Sequence, residues 1–216
     1  MRVASVGELG LSVLLEGLAI LRRERTKLVL VNVLFFGGVV LGGLIGIMNP
    51  SVQETMIAYI AEQAKTSPLF SEGLKAYLRK DVLMAFVFTL LVNLTLGAFV
   101  SVTLPGLLVA PSLGILGYRA LQLGIVYSPT TLRLFQVMLY ALPVLLIEGE
   151  GYVLASLVGI NLGLAWLKPN WLYREATSRK QAFIRALKES WKVYTWIAIV
   201  LLVSAIVEVI IVIFVM

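Results

Sequence analysis

Residues 28–48, LVLVNVLFFGGVVLGGLIGIM, contain no charged side chain. A helix of that length rises about 30 Å, the thickness of the hydrocarbon core of a bilayer. In such a medium each backbone N–H and C=O must be satisfied within its own element or a closed barrel, so the run points to a helix. Four further apolar stretches follow, at 82–104, 106–126, 144–167 and 193–215. The whole chain of 216 residues is 60% hydrophobic and only 14% charged, with a mean hydropathy of +0.96. Soluble domains are roughly 45–50% apolar and about 25% charged, and a soluble core of this length could not hide the excess. The expected fold class is all-α, a polytopic helical membrane protein with about five transmembrane helices.

The chain has no cysteine and no histidine. Disulfides, thiol catalysis, thiolate or imidazole metal sites and a histidine base are therefore excluded. The net charge of +6 fits basic loops facing anionic lipid. No nucleic-acid-binding module is recognisable, so nucleic acid is not an expected partner. No Walker A motif, nucleophile elbow, EF-hand loop or Rossmann fingerprint is present. The sequence implies no cofactor or metal, and it reads as non-enzymatic.

The N-terminal residues 1–27 do not form a signal peptide, because Glu8 and Glu16 interrupt the apolar region and no small-residue cleavage site follows. Leu11, Leu14, Leu15, Leu18 and Leu21 share a helical face ahead of the basic cluster Arg22, Arg23, Arg25 and Lys27. This is an amphipathic helix that either lies on the cytoplasmic surface or packs under the bundle. The transmembrane bundle occupies 28–215. Within its first span, Gly37, Gly38, Gly42, Gly43 and Gly46 include spacings that let helices approach closely, within one chain or in a homodimer.

Residues 49–81 carry four acids and four bases and read as a small helical cap outside the membrane. Ser51 and Glu54 have capping-box spacing after Pro50, and Ser67-Pro68 divides the segment into two helices. Pro105-Gly106 separates the second span from the third. The segment after Ser128-Pro129 is amphipathic and ends at Pro143, which starts the fourth span. Residues 168–192 hold seven bases against two acids, with an interface-lying helix over 180–192. Basic loops stay inside, so the N-terminus and 168–192 should be cytoplasmic and the C-terminus outside. Five spans satisfy this if 129–142 does not cross; a rival count makes 129–147 a sixth crossing.

Ionisable residues inside spans cost about 2.5–3.5 kcal/mol each and normally face protein or water. Arg119, Glu148, Glu150 and Glu208 fall at similar depth, roughly 6–12 Å below the outer edge of their helices, and could form one polar cluster. Glu148 should face inward and Glu150 should lie nearer the headgroups. Three readings compete: Arg119 and a glutamate pair to fix register; a polar cavity binds an ion, a proton or a headgroup; or Glu148 and Glu150 hydrolyse a bond. The last is opposed by their i, i+2 spacing, about 200° apart on a helix. Asn93 and Asn161 are secondary intramembrane polar groups that can hydrogen-bond across helices.

The order of these residues resembles the stage II sporulation protein M family. Its Pro-His-Gly-x-x-Glu motif has Pro143 and Glu148 here, with Val144 and Leu145 in place of the histidine and glycine. Gly151, Ala155 and Gly159 then match its small residues at helical spacing. Its Asn-Gly-x-x-x-Gly element retains Gly124, with Arg119 at the asparagine. Asn93 and Pro111 fit an earlier asparagine and proline, and Ala205 with Glu208 fits Ala-x-x-Glu in the last helix. The resemblance covers about residues 28–215. In sporulating bacteria the family member looks like a membrane anchor that holds wall-degrading enzymes and is not itself the hydrolase. The resemblance therefore implies a membrane scaffold that recruits protein partners through the 49–81 and 168–192 loops, with a homodimer through its glycine faces. The alternative is a transport or channel component of the cell membrane that binds a cation, proton or lipid headgroup at the Arg119, Glu148, Glu208 cluster.

Overall fold

The computed structural model describes residues 6–175 and 177–215; residues 1–5 of the expected N-terminal helix, Ala176 of the basic loop and Met216 lie outside it. All elements among the described residues are helical. Helix α1 (Val6–Arg23) leads into α2 (Arg25–Met48), with Glu24 donating to Ile20 O and accepting from Leu28 N across the junction. Of the two placements open for α1, the structure adopts the packed one. Trp196 Nε1 donates to Leu14 O at 3.0 Å, and a Cβ on Gly17 would meet Lys192 O at 2.7 Å. Leu11 and Leu15 stay exposed on the far side, the face an interfacial helix turns to lipid.

The cap consists of α3 (Pro50–Thr66) and α4 (Pro68–Leu78). The division at Ser67-Pro68 is as expected, but the capping box is not formed. Pro50 already occupies the first turn, Asn49 is the N-cap but its side chain donates back to Ile45 O and not into α3, and Ser51 O accepts from Thr55 Oγ1. Gln53 fastens the cap instead. It is buried, its amide donates to Val126 O at 3.1 Å and Ser128 O at 2.7 Å, and its oxygen accepts from Thr130 Oγ1 at 2.5 Å.

Helix α5 (Val82–Val92), capped by Asp81, widens into a π-helix over Asn93–Thr103 and ends in a 3₁₀ turn at Pro105–Leu108. Val109 reverses the chain at φ 63° before α6 (Ala110–Val126). Helix α7 (Leu132–Leu167) follows, then the short α8 (Pro169–Leu172) and α9 (Arg179–Ile210), which continues as π-helix to Val215. Two expected boundaries are corrected. Pro143 lies inside α7 and starts nothing. Thr131 caps that helix, its Oγ1 accepting from Leu134 N, so no separate helix is left over 129–147 for a sixth crossing. A helix flanked by neighbours tolerates the proline because freed backbone groups find other partners. The 180–192 stretch is likewise no separate helix but the first part of α9, capped by Ser178.

The long helices alternate in direction. Gly38, Gly42 and Gly46 of α2 meet Ala120, Leu121 and Ser128 in that order, so α2 and α6 run parallel. Lys27 meets Asn161 and Phe35 meets Gly149, so α7 runs against α2. Gly97 meets Tyr152 and Gly106 meets Gly159, so α5 and its continuation run with α7. Gly151 meets Leu201 while Glu148 and Glu208 share a cavity, so α9 runs against α7. Four of these helices are long and apolar enough to cross a membrane: Arg25–Met48, Val82–Leu108, Leu132–Leu167 and Arg179–Val215. Helix α6, of 17 residues, lies along α2.

Glycine governs the closest approaches. An added Cβ on Gly124 would stand 2.1 Å from Val39 O, and one on Gly42 would stand 2.2 Å from Leu121 O. The Gly38, Gly42 and Gly46 face offered by the sequence for a dimer is thus covered by α6 of the same chain. Helix α7 is central: residues 151–160 are all buried. Its small residues do what their spacing implies. Gly151 faces Leu201, Ala155 O accepts from Thr103 Oγ1 at 3.0 Å, and Gly159 abuts Thr103 and Gly106.

Candidate functional site

A cavity of about 570 Å³ opens between the cap and the adjoining ends of α5, α7 and α9. Glu148 and Glu208 both line it, with Tyr77, Thr89, Asn93 and Tyr127. The central helix brings one carboxylate to it and the last helix the other.

Glu148 accepts from the hydroxyl of Tyr152, one turn further along α7. Asn93 Oδ1 lies 3.2 Å from the same hydroxyl. One O–H cannot donate fully to both, and the shorter contact is the one to Glu148; the Asn93 side chain also hydrogen-bonds to Glu148. Asn93 opens the π-helix, a rare geometry that is frequent at functional sites. The last residue of this helix to line the cavity is therefore also where the helix widens.

Arg119 forms no ion pair with a carboxylate among the described residues. Its guanidinium carbon sits 4.2 Å from the centroid of the Tyr152 ring, and Nη1 reaches Gly97 O at 3.4 Å. The tyrosine ring stands between Arg119 and Glu148. The contact fits a cation–π interaction in a desolvated setting. The direct Arg119–Glu148 meeting expected from the sequence is corrected accordingly: a residue four positions after Glu148 occupies the same helix face and intervenes. The expectation passed over Tyr152, although its i+4 spacing from Glu148 was a usable signal.

Glu208 accepts from Tyr77 Oη at 3.0 Å, and that hydroxyl lies 2.7 Å from Thr89 Oγ1. Burial first, then the charge of Glu208, raises the Tyr77 phenol above its usual range, which keeps it a donor. Tyr77 belongs to the cap, so the cap closes directly on an intramembrane carboxylate. No sequence pattern linked residue 77 to residue 208.

Glu150 stands apart, on another side of α7 beside Asn32 of α2. It is also further from the cap end of α7 than Glu148, the reverse of the expected order. The estimated depth is corrected as well. Because α7 begins at Leu132, Glu148 is sixteen residues in, about 24 Å along the helix. Gly149 packs on the Phe35 ring in the middle of α2, so Glu148 lies midway along the bundle, further in than the outer-half level expected. Asn161 is remote from the cavity and accepts from Lys27 Nζ at 2.6 Å.

Asn161 belongs to a second polar cluster at the opposite end. Glu24, with 8% side-chain exposure, pairs with Arg23 at 2.8 Å and Lys27 at 2.6 Å. Glu189 accepts from Arg23, from Arg185 at 3.4 Å and from Tyr173 at 2.8 Å. Every carboxylate oxygen there faces a donor, which marks a fastening for α1, α2 and α9. At the cavity, by contrast, neither Glu148 nor Glu208 has an ion-pair partner among the described residues. Among the described residues no three acidic, histidine or cysteine side chains gather as a metal centre. Two carboxylates sharing an apolar cavity, each held by a tyrosine hydroxyl, can take up a cation or a proton.

The family model described as stage II sporulation protein M matches residues 31–212. The chain belongs to that family, and it is a membrane protein of it. The comparison with curated proteins and the comparison with solved structures returned no match.

Proposed function

We propose that this member of the stage II sporulation protein M family is a non-enzymatic transport component that binds a cation at Glu148 and Glu208. One observation carries the reading: a capped cavity holds two carboxylates with no ion pair among the described residues, while Glu24 and Glu189 at the other end of the bundle are fully paired. Placing such groups in a bundle is costly, and their usual use is an ion or substrate path. Five crossings of the cell membrane accompany the reading, by α2, α5 with its π-helical continuation, α6, α7 and α9. The alternating directions support that count, and the basic 168–192 segment supports a cytoplasmic N-terminus, with the cap and the C-terminus outside.

A second reading, a scaffold that recruits a protein partner, is favoured by Ile184, Leu187 and Trp191, which are exposed on one face of α9 beside Lys180 and Lys188. Cation and proton flux in proteoliposomes separates the two. The transport reading expects flux in the wild type that is lost in Glu148→Gln and Glu208→Gln while both variants keep their unfolding temperature. A wild type without flux, with variants that change only in stability, would remove it and leave the scaffold.

A further inference from the structure

We infer that the ligand of the cavity is an organic ammonium ion with an apolar body, a class narrower than the cation reading on which it rests. The size of the space is the first argument. A volume of about 570 Å³ lies in the range of small-molecule pockets, roughly 300–1,000 Å³. A bare inorganic cation wants about six or more oxygens at roughly 2.0–2.6 Å in a close cage. The oxygens here line a wide space and not a close cage, and they are engaged with one another: Tyr77 with Glu208 and Thr89, and Tyr152 with Glu148.

The second argument is the division of the wall. Tyr77, Thr89, Asn93, Glu148 and Glu208 form one contiguous polar stretch, linked through shared hydroxyl bonds and the helical spacing of Thr89 and Asn93. Much of the remaining wall is apolar, from Phe70 and Leu74 of the cap through Phe88 and Val92 to Val137 and Val144 of α7. Carboxylates on one side and aromatic and aliphatic surface on the other match an ammonium head and a hydrocarbon body. Aromatic faces add attraction for such a head, most of all for a quaternary one.

The third argument fixes what the ligand lacks. The lining contains no lysine or arginine, and the Arg119 guanidinium rests on the Tyr152 ring outside it. A zwitterion such as an amino acid would bring a carboxylate that meets two others and no cation. The cavity therefore selects amines over amino acids.

The test is calorimetric titration of the full chain in lipid nanodiscs at constant ionic strength. The probes are benzyltrimethylammonium, its neutral isostere neopentylbenzene, phenylalanine, and sodium or magnesium chloride alone. Benzyltrimethylammonium is expected to bind, and to bind at least about tenfold more weakly to Glu148→Gln or Glu208→Gln. Leu74→Trp, which keeps both carboxylates and fills apolar space of the wall, should weaken the same probe. Neopentylbenzene and phenylalanine should not bind. Unfolding temperatures of all variants are measured alongside. Binding or flux of sodium, magnesium or protons alone, dependent on Glu148 and with no ammonium bound, overturns the inference and leaves the cation reading standing. Equal binding of neopentylbenzene to wild type and both glutamine variants overturns both, as does the absence of any binding or flux.

Discussion

Adding one methyl group at Gly124 should unfasten α6 from α2, whereas adding one at Gly114 of the same helix should not. The Cβ of an alanine at 124 would lie 2.1 Å from Val39 O, 2.8 Å from Gly43 N and 2.9 Å from Gly42 Cα. All three obstructing atoms are backbone, so no rotamer change can make room. Carbon contacts are comfortable at about 3.5–4.0 Å, so the helices must part by at least 1 Å or so along their common glycine face. Overpacking of this kind costs about 1–3 kcal/mol, and an immovable obstacle puts it at the upper end. Alanine returns roughly 1 kcal/mol of helix propensity. The net expectation is a loss of about 2 kcal/mol for Gly124→Ala. Gly114 has nothing within 4 Å of its added Cβ, so Gly114→Ala keeps the propensity gain of up to about 1 kcal/mol. Reversible denaturant titration in mixed micelles, followed by far-ultraviolet circular dichroism, measures both. Coincident midpoints for the two variants would refute the claim that α2 and α6 meet backbone to backbone.

The cap offers a second test. Gln53→Ala strands the carbonyls of Val126 and Ser128 and the hydroxyl of Thr130, at a cost of about 1–3 kcal/mol; amide hydrogen exchange should quicken over 126–131, and unchanged protection there would contradict the fastening role. A third concerns alkaline pH. Burial first, then its bond to Glu189, raises the Tyr173 phenol above the usual value. A raised folded-state value means that this stability is complete below pH about 10 and is lost as pH rises through the folded value. Tyr173→Phe should be less stable at neutral pH, through the lost bond to Glu189, yet decline less above pH about 10. Denaturant midpoints of the two proteins that fall in parallel across that range would remove Tyr173 as the cause.

The helical class, the break at Pro105-Gly106, the two-helix cap and the burial of Glu148 and Glu208 within the bundle were legible because each rests on local chemistry. Apolar runs, proline and a carboxylate in a greasy segment carry their meaning in a few residues. Pro143 misled because the rule that proline ends helices assumes water as the competitor; within a packed bundle the helix runs through it. The placement of Glu150 followed from the same error, since a helix starting at Pro143 puts 148 and 150 near an end and one starting at Leu132 puts them in the middle. Arg119 was correctly placed near Glu148, but which group lies between them depends on side-chain direction, and Tyr152 decides it. Tyr77 could not be found at all: its contact with Glu208 joins segments 131 residues apart, brought together because α4 packs on α5 and α5 packs on α9.

The unbroken length of α7 makes bilayer thickness a variable of the site. Its 36 residues amount to about 54 Å of helix, against a hydrocarbon core of about 30 Å. The excess must be taken up by tilt, by local thickening of the lipid or by turns that stand clear of it, each costing fractions of a kcal/mol per Å. With Glu148 at mid-depth about eight residues stand clear at each end, and those at the cap end carry Val137, the outer edge of one wall of the cavity. A thicker membrane covers that edge with lipid and a thinner one leaves it to water. Hydrophobic mismatch thus acts on the mouth of the cavity while Glu148, at the midpoint of the helix, stays at the same depth.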